Sequence, residues 1–208
     1  MQDKSMYDIQ STGMDSVLST NKVLKNTYLL LGMTLLFSAA TAGVSMAMGL
    51  SHGMGLILTL VGFGLLFVVN RMADSSKGLV AIFAFTGVMG AAIGPMLNYY
   101  LSMPGGPALV MQALGGTALV FFGLSAYALT TRKDFSFMGG FLMVGLIVAV
   151  VAMIANIFLH IPALSLTISA AMVMIMSGLI LFDTSRIING GETNYIRATV
   201  SLYLNIYN

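Results

Sequence analysis

Six apolar runs follow one another along this chain with only short polar breaks between them, and that repetition leaves few folds open. A hydrocarbon core ~30 Å thick needs ~20 helical residues at ~1.5 Å each. The runs cover residues 27–50, 54–70, 78–101, 108–129, 135–159 and 162–188. The second is the shortest and predicts a thinned bilayer patch or help from its flanks. A seventh run opens near Thr193 and is still apolar at Asn208, where the expectation is a seventh helix cut short. The chain therefore reads as an all-α integral membrane protein. Residues 22–208 form one domain of seven transmembrane helices, and residues 1–21 form a polar, flexible tail. The tail has no apolar stretch of the signal-peptide kind, so cleavage is not expected.

Composition supports lipid as the solvent. Only 8% of the residues are charged and 58% are hydrophobic, whereas soluble domains carry ~25% charge. Sixteen charged side chains, nine basic and seven acidic, cannot cover a soluble surface of this size. With no cysteine, disulfides, thiolate zinc sites and cysteine nucleophiles are excluded. His52 and His160 are too few and too far apart to propose a metal centre, and no cofactor is expected. A net charge of +2 gives no reason to propose nucleic acid as a partner. The partner read directly from composition is the bilayer.

The basic residues predict orientation. Lys4, Lys22 and Lys25 precede the first run. Arg71 and Lys77 follow the second, Arg132 and Lys133 the fourth, and Arg186 and Arg197 bracket the sixth break. All nine thus fall on one side, and the opposite breaks at 51–53, 102–107 and 160–161 carry none. That side, with the N-terminus, is expected to be cytoplasmic.

Several residues have the types that carry chemistry in membranes. Gly87, Gly90 and Gly94 recur along the third run and predict close helix contact, or hinges for a moving helix. Pro95 beside them favours a kink. Asp183 is the one acidic residue inside an apolar run, ~31 Å along the sixth helix from Pro162 and so near the cytoplasmic boundary. Either it reaches interfacial water or pairs with Arg186 one turn on, or it faces the bundle interior as a buried polar switch. Asn205 lies ~12 Å beyond Arg197 along the seventh helix, and the short turn between the two helices lets it approach Asp183. Interhelical hydrogen bonding is the plain reading of Asn205. Tyr99 and Tyr100 suit interface anchors, and His160 sits in a two-residue turn. The sequence holds no phosphate loop, no paired His with Glu and no nucleophile elbow, so no catalytic residues are assigned.

Particular stretches resemble a known family. Residues 83–87 (Phe-Ala-Phe-Thr-Gly), 94–97 (Gly-Pro-Met-Leu), 113–118 and 133–137 are similar to the Bax inhibitor-1 family. The run Gly190-Gly191-Glu192-Thr193-Asn194-Tyr195, continuing to Tyr203, resembles its bacterial YccA branch. The resemblance implies six helices around a seventh. In calcium-leak relatives it implies an aspartate pair on the sixth and seventh helices, with an arginine from the end of the second. By position these fall on Asp183, Asn205 and Arg71. Asn205 cannot ionise, so a proton shared between two carboxylates is lost. The YccA branch implies instead an inner-membrane modulator of the FtsH protease and its HflK and HflC partners. Such a protein is a slow substrate and a brake, engaged through the tail around Asp3, Lys4, Asp8 and Asp15. A pH-sensitive calcium leak is the alternative.

Overall fold

The computed structural model describes residues 2–208, with side chains from Ser19 onward. Among the described residues the elements are seven helices: α1 (Gln2–Ala47), α2 (His52–Met72), α3 (Lys77–Leu101), α4 (Gly106–Thr131), α5 (Met138–Leu159), α6 (Pro162–Ile188) and α7 (Tyr195–Tyr207). The first six are long and apolar enough to span a bilayer. α1 enters the bundle without a break from the segment expected as the tail, and the side chains of residues 1–18 lie outside the described residues.

Two helices depart from their expected bounds for local reasons. α2 has 21 residues rather than 17, because Ser51 caps it, its Oγ accepting from Met54 N at 3.2 Å. At ~31 Å it needs no thinned bilayer. α5 begins at Met138 rather than Phe135. The connection before it is held open by Ser185 of α6, whose Oγ accepts from Phe135 N (2.9 Å) and donates to Lys133 O (3.1 Å). Asp134 closes a turn there by accepting from Ser136 N at 2.8 Å, and hydrogen bonds from Ser136 hold its carboxyl below the usual carboxylate range.

The packing is uneven. In α3, 56% of the most apolar stretch is buried, against 11% in α4 and in α5. α1 and α2 lie on α3, α5 lies on α6, and α7 is wedged among α1, α3 and α6. The small residues of α3 make this possible. A Cβ added at Gly87 would stand 2.6 Å from the Phe37 ring, at Gly90 2.7 Å from Ser38 Cα, and at Gly94 2.6 Å from Ser45 Cβ. Close packing is thus the role observed for this stripe. On the far side, Gly55 of α2 approaches Ala92 O and the Pro95 ring.

Pro95 sits inside a continuous α3. A proline has no N–H, so the carbonyl four residues back, Ala91 O, loses its helical donor. Ser45 Oγ, on α1, donates to that oxygen at 2.7 Å. The side chain of one helix therefore completes the backbone of another, as a membrane interior requires. Ser45→Ala is expected to lower stability by about 1–2 kcal/mol, measured as a shift in the unfolding midpoint in mixed micelles. In a Pro95→Ala background the same change should cost little, since the backbone N–H restored at position 95 then bonds Ala91 O.

Candidate functional site: the polar junction of the sixth and seventh helices

Position along α7 is set at its first turn. Asn194 caps the helix, its Oδ1 accepting from Ile196 N (2.8 Å) and Arg197 N (3.1 Å). Its Nδ2 donates to Ala73 O (2.9 Å) and Asp74 Oδ1 (2.8 Å) in the α2–α3 connection. Arg197 makes an ion pair with Asp74. One turn further, Thr199 Oγ1 lies 3.3 Å from Thr27 O of α1. Tyr203, fully buried, shares a 2.8 Å hydrogen bond with Ser38 and stacks edge-on against Phe85. Tyr207 OH donates to Met89 O at 3.1 Å. Contacts that advance together along α1, α3 and α7 make these three helices parallel.

This register carries Asn205 to α6. Asn205 is 8% exposed, and its Nδ2 donates to Asp183 Oδ2 at 2.8 Å. An amide donor matched to a carboxylate acceptor is a charge-assisted hydrogen bond, stronger than a neutral one. Thr184, next to Asp183, is buried and meets the Tyr28 hydroxyl at 3.5 Å.

The other residues singled out from the sequence lie apart. Arg186 turns from Asp183 to Glu192 (3.9 Å), to Gly191 O (3.3 Å) and to the Phe182 ring, whose centroid is 5.6 Å away. Among the described residues Asp183 makes no ion pair; of its two readings the one that paired it with Arg186 is not seen, and its partner is the Asn205 amide. Arg71 is exposed at the end of α2, a helix that packs on α3, and it forms no ion pair with Asp183. Asp3, Lys4, Asp8 and Asp15 have side chains outside the described residues. His160 ends α5 in the left-handed conformation (φ 52°), and Tyr99 and Tyr100 are exposed at the C-terminal end of α3.

Sequence reasoning missed the hydroxyl row behind the junction. Thr27, Thr34, Ser38, Thr41 and Ser45 recur at spacings of seven, four, three and four along α1. That is one face of a helix, and it is the face that meets α3 and α7.

Over residues 20–208 the chain matches the family described as Inhibitor of apoptosis-promoting Bax1. It belongs to this Bax inhibitor-1 family. A relative from Escherichia coli (strain K12), named Modulator of FtsH protease YccA, is 59% identical over 194 residues, covering 93% of this chain and 88% of the relative. The protein named Inner membrane protein YccA from Escherichia coli O6:H1 is equally similar. An uncharacterized membrane protein of Vibrio cholerae is 53% identical over 200 residues, covering 96% and 90%. The seven-helix membrane bundle and the resemblance to the YccA branch are thus both borne out.

Proposed function

We propose that this chain is a non-enzymatic modulator of an FtsH-type membrane protease, acting as a slow substrate that occupies and so restrains the enzyme. It sits in the inner membrane with its N-terminus in the cytoplasm, and the protease, with HflK and HflC, engages residues 1–21. Support for the partner comes from the name of the Escherichia coli relative at 59% identity. Support for the orientation comes from the nine basic residues on one side.

The observation that carries the mechanism is the packing of α1, the first helix behind the engaged end. Pulling on it must separate the α1–α3 seam at Gly87, Gly90 and Gly94 and also break the Ser38–Tyr203 and Ser45–Ala91 hydrogen bonds. Those contacts lie within hydrocarbon, where a freed backbone carbonyl finds no water. Extraction is therefore slow, and a protease holding such a substrate is unavailable to others. Deleting residues 2–18 should abolish degradation of this chain by FtsH in proteoliposomes. An unchanged degradation rate would refute engagement through the N-terminal segment.

The calcium-leak reading is not favoured. The relative is named a modulator, and Asn205 supplies an amide where the leak mechanism needs a second carboxylate.

A further inference from the structure

At the end of the bundle that carries the basic residues, a cavity of about 320 Å³ opens between α1, α4 and α6. Thr20, Asn21 and Leu24 line it from α1, Leu129 and Arg132 from the end of α4, and Ile188 with its two successors from the end of α6. α4 and α6 both end at this level, and α1 carries Lys22 and Lys25 beside its lining residues, which places the cavity where lipid headgroups meet water.

Its walls combine one cation with the ends of two helices. Arg132 is exposed and makes no ion pair or side-chain hydrogen bond among the described residues, unlike Arg186 and Arg197. The C-terminus of α4, which Arg132 itself caps, and the C-terminus of α6 both border the cavity. The last carbonyls of a helix lack internal donors and bear its negative dipole end. Among the described residues, Leu129 O and Ile188 O accept no hydrogen bond from beyond their helices. A purely anionic ligand would be drawn to Arg132 and repelled by these carbonyls, and a simple cation the reverse. A zwitterion with a phosphate and an N–H-bearing ammonium a few ångströms apart satisfies both. The apolar side chains of Leu24, Leu129 and Ile188 suit the glycerol and first methylenes behind such a headgroup.

We propose that this cavity binds the phosphoethanolamine headgroup of a membrane phospholipid, its phosphate on Arg132 and its ammonium on the α4 and α6 carbonyls. Thr20 and Asn21 supply further donors to the phosphate. A phosphatidylcholine headgroup has the same charges but no N–H, so the carbonyls discriminate between the two. This inference is independent of the protease reading.

The test is native mass spectrometry of the full chain, delipidated in detergent and offered phosphatidylethanolamine, phosphatidylcholine and phosphatidylglycerol at equal concentration. Phosphatidylethanolamine adducts should exceed phosphatidylcholine adducts roughly tenfold, the effect of about one charge-assisted hydrogen bond. Arg132→Gln should lower the ethanolamine and choline adducts alike by loss of the phosphate contact, while Arg71→Gln, which changes another exposed arginine, should leave both unchanged. Equal retention of the ethanolamine and choline lipids by the wild-type chain would overturn the proposal, whatever Arg132→Gln does to folding. So would a preference for phosphatidylglycerol, or phosphatidylethanolamine adducts undiminished by Arg132→Gln. Soluble phosphoethanolamine should give no adduct under the same conditions, and an adduct would mean the cavity takes a free phosphate ester rather than a lipid.

Discussion

Gly90→Leu is expected to destabilise the bundle by about 3 kcal/mol or more, at the upper end of what over-packing costs. The reason is the neighbour. Even a Cβ at this position would lie 2.7 Å from the Cα of Ser38 and nearer still to its carbonyl oxygen, so α1 backbone rather than a flexible side chain stands in the way. The only relief is to move α1 off α3, which also parts Ser45 from Ala91 O and Ser38 from Tyr203. The control is Gly32→Leu on α1, where nothing stands within 4 Å of the added Cβ. Unfolding midpoints in mixed micelles should fall sharply for the first variant and hardly move for the second. Under the slow-substrate mechanism Gly90→Leu should also be degraded faster by FtsH and should restrain it less.

Asn205→Leu is the second large effect. It removes the donor to Asp183 and leaves a carboxylate facing an apolar side chain among α6, α7 and α1. Leaving a fully buried polar group without its partner costs about 1–3 kcal/mol, and Asp183, which is half-buried, should fall toward the lower end. Replacing both partners is far less costly, because no desolvated group is then orphaned. The double variant Asp183→Leu with Asn205→Leu should therefore recover most of the stability lost in Asn205→Leu alone. If the double variant is as unstable as the sum of the two single ones, the 2.8 Å contact is not what holds α6 to α7.

Much of this is legible in the chain itself, because a bilayer leaves so little choice. Six of the seven helices follow from run length, and the close approach of α3 to α1 follows from Gly87, Gly90 and Gly94. The meeting of Asp183 with Asn205 is readable from helix rise and a short turn. What cannot be read is the choice among several polar partners of similar reach. Arg186 has Asp183 on its own helix and Glu192 just beyond the turn. Gly190, at φ 74°, bends the chain so that Glu192 N returns to Arg186 O, which brings the Glu192 carboxylate to the guanidinium. The start of α5 departs from expectation for a similar reason. Phe135-Ser136-Phe137 is apolar enough to continue the helix, but Ser185, fifty residues from Phe135 in sequence, holds its amide outside it. Pro95 predicts a kink in α3, and only the neighbouring helix reveals that Ser45 supplies the donor Ala91 O lacks.

In the proposed function this chain restrains a protease by being slow to leave the membrane. The direct measurement places FtsH and a second, readily degraded membrane substrate in proteoliposomes and adds the intact chain in increasing amounts. Degradation of the second substrate should slow in step with occupancy, and Gly90→Leu should relieve that slowing. A second substrate that disappears at the same rate with the chain absent and in excess would contradict the account.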